Sequence, residues 1–135
     1  MPTLTIGIDR ARDEPVYEQV ADQVRQLVAS GALAPGTALP PVRQLAGDLG
    51  VNLNTIARAY RVLEDEGFLD IRDRAGVVVA APAKKSGGAA RSRLLDQLRA
   101  TIARLRQSGM TTNELLRVLQ REVRALGARE RNADE

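Results

Sequence analysis

Apolar residues recur at helical spacing in five stretches of this chain and at strand spacing in three, with Gly, Pro and polar clusters between them. Residues 4–8 (LTIGI) alternate and predict a short strand. Tyr17, Val20, Val24 and Leu27 then follow at spacings of three, four and three. They predict a helix that opens at Pro15, behind Asp13 and Glu14, and closes at Ser30 and Gly31. Residues 33–36 (LAPG) read as a turn, and 37–39 as a short extended segment.

Residues 39–67 (LPPVRQLAGDLGVNLNTIARAYRVLEDEG) organise the rest. Prolines 40 and 41 suit a helix start. Val42, Leu45, Ala46 and Leu49 share one face, and Gly50 ends the helix. Val51 lies in the turn, and Asn52 is suited to cap a second helix. Ile56, Ala59, Tyr60 and Leu63 are its expected buried stripe, and Gly67 its stop. Two β-prone runs, 68–72 and 77–80, flank a polar, Gly-containing loop and read as a hairpin, placed where a wing would follow a helix-turn-helix.

Residues 82–88 (PAKKSGG) have linker composition, and helical spacing returns near Ala89. Leu94, Leu98, Ile102 and Leu105 form one stripe. Ser108 and Gly109 break the helix, and Thr111 with Glu114 has the form of a capping box. Leu116, Leu119, Val123 and Leu126 form a second stripe, with Gly127 as the expected stop. Two such helices cannot cover all their leucines with each other, so a second copy completing a four-helix bundle is expected. The alternative is a hairpin folded back on the N-terminal part. The expected fold class is mainly α with a small β-hairpin. A winged helix-turn-helix domain (1–81) leads through a linker (82–90) to a two-helix dimerisation module (91–127) and a frayed tail (128–135).

Composition narrows the function. The chain has 135 residues, no Cys and no His, which removes disulfides, thiolate metal sites and the usual general base. No cofactor or metal is expected, and no catalysis. No apolar run approaches the roughly 18 residues of a membrane span, and no signal peptide is evident, so a cytoplasmic location is expected. Residues 1–82 carry 8 basic and 11 acidic side chains, whereas 83–135 carry 12 basic and 6 acidic. The acidic excess in the first part counts against nucleic acid, but position matters more than the sum. Arg43, Arg58, Arg61, Arg72 and Arg74 are the basic residues of the helix-turn-helix and hairpin.

Those arginines, with Asn52, Asn54 and Thr55, are the candidate chemistry. Near a helix N-terminus, Asn can bond an adenine edge, Arg a guanine edge and Thr a base or phosphate. Arg72 and Arg74, close to the hairpin tip, would lie beside the phosphate backbone or a minor groove. A merely solvated polar face, and a structural hairpin, explain the same residues without DNA.

Residues 15–69, from PVYEQVADQV to EDEGFL, resemble the N-terminal signature of the GntR family of bacterial transcriptional regulators. The short C-terminal pair of helices, together with Asn52, Asn54 and Thr55, resembles its YtrA-like subfamily. The resemblance implies a winged helix-turn-helix and a small dimerisation module. It also implies links to transporter operons. Arg43, Asn54 and Thr55 match the family's DNA-contacting positions, and Gly76, also a candidate DNA-binding residue, matches the last glycine of its wing. Leu53 and Ala57 depart from it, standing where many relatives are polar, and Arg74, Val77 and Val78 depart in the wing. The expected function is a homodimeric, sequence-specific repressor of a palindromic operator, with double-stranded DNA and a second copy as partners. A small-molecule effector is unidentified. The competing class is a protein-interaction adaptor on a winged-helix scaffold.

Overall fold

A proline that cannot donate a backbone hydrogen bond opens the first helix, where none is required. The carbonyl of Pro15 accepts from the amides of Glu18 and Gln19, both at 3.1 Å, and α1 runs Val16–Ala29. The computed structural model describes residues 4–72, 76–82 and 88–133. After α1 come β1 (Ala38–Leu39), α2 (Val42–Leu49), α3 (Leu53–Asp65), β2 (Leu69–Arg72), β3 (Gly76–Val79), α4 (Gly88–Gln107) and α5 (Thr112–Ala133). The chain divides into two units, Met1–Pro82 and Ala83–Glu135.

In the first unit the three strands form an antiparallel sheet in the order β1-β3-β2. The hairpin of the sequence reading is present, and β1 adds a third strand by pairing Ala38 with Val78 and Leu39 with Val77. The expected strand at residues 4–8 does not form. Two glutamines of α1 hold that segment instead of a sheet edge. Gln23 Nε2 donates to the Gly7 carbonyl at 2.6 Å, and its Oε1 accepts from the Gly7 amide at 3.0 Å. Gln19 does the same for Asp9, at 3.0 and 2.9 Å, and also reaches the Glu14 carbonyl at 2.9 Å. Gln19 is buried, and its amide is fully used.

The core of this unit is aliphatic. Val20, Ala21 and Val24 of α1 meet Leu45 and Ala46 of α2 and the α3 stripe Ile56, Ala59, Tyr60 and Leu63; Leu39, Leu69, Val77 and Val79 close it from the sheet. The α3 stripe is the set expected from spacing. Gly50 ends α2 at φ 67°, ψ 38°, a left-handed conformation that glycine adopts without a Cβ clash. The Val51 amide then bonds the Ala46 carbonyl at 3.0 Å, which fixes the short turn into α3.

In the second unit, α4 and α5 pack on each other with little interior. The capping box forms: the Glu114 amide donates to Thr111 Oγ1 at 3.1 Å, and the Thr111 amide to Glu114 Oε2 at 3.4 Å. Leu115, outside the expected stripes, is the buried apolar residue of this hairpin among the described residues, at 6% exposure. Ile102, Leu105, Leu119 and Leu126 are half-buried. Leu94 (65% exposed), Leu98, Leu116 and Val123 (68%) lie open. Gly127 does not stop α5, which continues to Ala133, so the expected frayed tail begins too early. Gly127 keeps negative-φ helical backbone, unlike Gly50 and Gly67, and a glycine inside a helix costs only about 1 kcal/mol against alanine.

Tyr60 locks α3 to the approach of α2. Its hydroxyl donates to the Pro40 carbonyl at 2.7 Å from a position only 1% exposed. Burial pushes its pKa well above the ordinary tyrosine value. The unfolded chain releases this proton near pH ~10 while the folded chain keeps it. The stability supplied by the buried neutral phenol is therefore intact below that pH and falls as pH rises beyond it. Urea unfolding should show Tyr60→Phe destabilised by about 1 kcal/mol at neutral pH, with a flatter decline above pH ~10. Equal stability at pH 7 would mean that the Pro40 bond contributes nothing.

Candidate nucleic-acid interface

With its apolar stripe buried, α3 turns the opposite face to solvent. Leu53, Asn54, Arg58 and Arg61 are exposed there, and Thr55 and Ala57 are half-buried. Asn52 precedes them in extended backbone conformation, φ −65° and ψ 139°, and its side-chain oxygen accepts from the Asn54 amide at 2.8 Å. Its acceptor is thus engaged in holding the helix end. The remaining amides of this first turn give the N-terminus of α3 a partial positive charge directed outward.

The arginines fall into distinct settings. Arg58, expected to lie in the reading set, stacks its guanidinium on the Tyr17 ring, 3.8 Å from the centroid. The Tyr17 hydroxyl in turn approaches Glu18 Oε1 at 3.1 Å. Arg61 lies along its own helix, Nε donating to the Ala57 carbonyl at 3.4 Å. Arg43 is the second residue of α2 and exposed. Among the described residues, no carboxylate lies within ion-pair distance of Arg43, Arg58 or Arg61.

Several carboxylates of this unit are already occupied. Glu66 holds Arg25 through two bonds of 2.7 and 3.2 Å, and this contact raises the Arg25 pKa above its ordinary value. Glu64 accepts from the Ile71 amide at 3.1 Å and ties the end of α3 to β2. Asp70 pairs with Arg72 at 3.2 Å. In the wing, Arg72 stands directly opposite Gly76, whose φ of 79° favours glycine. Arg74 lies outside the described residues.

Sequence reading missed two participants. Arg10 Nη2 donates to the Gly50 carbonyl at 2.9 Å, so the N-terminal segment braces the turn between α2 and α3. Tyr17, part of the helical spacing of α1, is half-buried and also carries Arg58. No periodic pattern could pair residues 17 and 58; only the packing of α1 on α3 brings them together.

Three helices with a short α2–α3 turn and a β2–β3 wing define a winged helix-turn-helix domain. The family model "Bacterial regulatory proteins, gntR family" matches residues 16–79. The HTH-type transcriptional regulator Rv1152 of Mycobacterium tuberculosis is 43% identical over 97 residues, covering 64% of this chain and 80% of that protein. The HTH-type transcriptional repressor YtrA of Bacillus subtilis is 38% identical over 79 residues, 58% of this chain and 61% of that one. Among solved structures, YtrA from Sulfolobus acidocaldarius, a GntR-family transcription factor, is 39% identical with a TM-score of 0.62, over 74% of this chain and 95% of that one. The chain belongs to the GntR family, in its YtrA-like subfamily. It is a transcriptional regulator with a DNA-binding winged helix-turn-helix domain, not an enzyme.

The role given to Asn52 can be checked without DNA. Asn52→Ala should lower stability by about 1 kcal/mol in urea unfolding, and Asn52→Asp, which keeps an acceptor, by much less. Equal losses in the two variants would contradict a capping role.

Proposed function

We propose that this regulator is a homodimeric repressor that reads an inverted-repeat operator with two copies of α3. In this reading residues 1–81 bind DNA, 82–90 link, and 91–127 join the two copies. The observation that carries it is the outward face of α3, where Asn54 stands exposed in the first turn and Arg61 two turns further along, with Arg43 exposed on the preceding helix. Asn54 has the chemistry for an adenine edge and Thr55 and Arg61 for a base or phosphate. Arg43 suits phosphate, and Arg72, opposite Gly76 in the wing, has the chemistry for a backbone phosphate. Arg58, stacked on Tyr17, is better suited to phosphate than to a base edge.

The second unit supports dimerisation. Leu94, Leu98, Leu116 and Val123 are too exposed to stabilise a hairpin by themselves, and a second copy would bury them with Ile102, Leu105, Leu119 and Leu126. The likeness to the Bacillus repressor supports the repressor sense. A transporter operon is the target class that the YtrA-like resemblance suggests, and the compartment holding the chromosome is the place of action. No effector is assigned. An open cleft of about 380 Å³ beside α1 is lined by Asp9, Glu14, Gln19 and Gln23, and both glutamines there are already bonded to the chain's own backbone.

Selection of binding sites from randomised duplex DNA tests the reading, with an inverted repeat as the expected product. Arg43→Ala should weaken all sequences alike and reduce the slope of log K against log salt by about 1. Asn54→Ala should relax one position of each half-site by about 1–3 kcal/mol. Unchanged base preference in Asn54→Ala would remove that residue from the reading set. Leu119→Asp should sediment as a monomer; wild-type sedimentation would refute the assigned dimer face.

The acidic excess of residues 1–82 favours the adaptor reading. Duplex binding that is absent, or indifferent to salt, would bring that reading forward.

A further inference from the structure

Leu53 is the first residue of α3 and is 44% exposed. It belongs to neither the core of its unit nor the apolar residues packed against that core, whereas Val51, two positions earlier, does pack there. Ala57, one turn further along, is half-buried. Neither side chain carries a polar atom, so this ridge of α3 can make no hydrogen bond to a base edge. Asn54, beside it, can.

A partly exposed leucine at the leading end of a recognition helix can gain an apolar partner in the groove. The floor of the major groove presents one, the 5-methyl group of thymine. We propose that Leu53, with Ala57 behind it, is a specificity-determining residue that seats against a thymine methyl in each half-site. The small side chain of Ala57 leaves room for the base pair to approach the helix. Asn54 would take the adenine edge of a neighbouring pair, so the centre of the half-site contact is A·T. This inference rests on α3 being the recognition helix.

The test uses the full chain and the operator recovered by selection. Each thymidine is replaced in turn by deoxyuridine, which deletes the methyl group and leaves every hydrogen-bonding atom in place. One position per half-site should weaken wild-type binding by about three- to fourfold, the loss of one buried methyl. Leu53→Ala should bind the intact operator more weakly and show no further loss on that replacement, closing a double-mutant cycle. Leu53→Met, which keeps apolar volume, should retain the deoxyuridine loss.

Silent replacement at every position overturns the inference, as does a loss of the same size in Leu53→Ala. Half-sites with no fixed thymine overturn it too. These failures leave operator binding intact and are distinct from failure of the DNA reading, in which no sequence would be enriched at all.

Discussion

Burial of Ile56, Ala59, Tyr60 and Leu63 between α1 and α2 is the constraint on which the exposed face of α3 depends. A helix fixed by four residues on one side has no freedom of rotation, so Asn54, Arg58 and Arg61 must face outward. The Tyr60 bond to Pro40 then sets where α2 begins relative to α3. Arg10 on Gly50 and Glu64 on Ile71 secure the two ends, the turn before α3 and the strand after it. The exposed face of α3 is thus positioned by contacts that lie away from it.

The same contacts reconcile an acidic domain with a polyanionic partner. Glu64, Glu66 and Asp70 are engaged within the domain, two of them by arginines. Arg43, Arg58 and Arg61 have no such carboxylate partner among the described residues. Net charge acts over a Debye length of about 10 Å, while phosphate contact is made at a few ångströms. Placement therefore outweighs the sum.

Periodicity was enough to place all five helices and the wing, because in each the apolar spacing, caps and breakers agree. Where one signal stood alone, it failed. The alternation of residues 4–8 had no pairing partner, and Gln19 and Gln23 took over its backbone groups. Gly127 lacked the left-handed backbone that stops a helix. The stripe of α3 was readable because burial follows spacing, but the stacking of Arg58 on Tyr17 was not, since it joins residues brought together only by tertiary packing. Leu115 went unassigned for a related reason: between two helices with several leucines each, spacing alone cannot say which one turns inward.

In the proposed function α3 enters the major groove of duplex DNA, once in each half of a repeated site. Dimethyl sulfate protection on a bound operator tests it most directly, because guanine N7 lies in the major groove and adenine N3 in the minor. Guanine N7 protection is expected in two blocks about 10 base pairs, or a multiple of one helical turn, apart. Protection confined to adenine N3, or a complex that leaves every guanine N7 reactive, would contradict it.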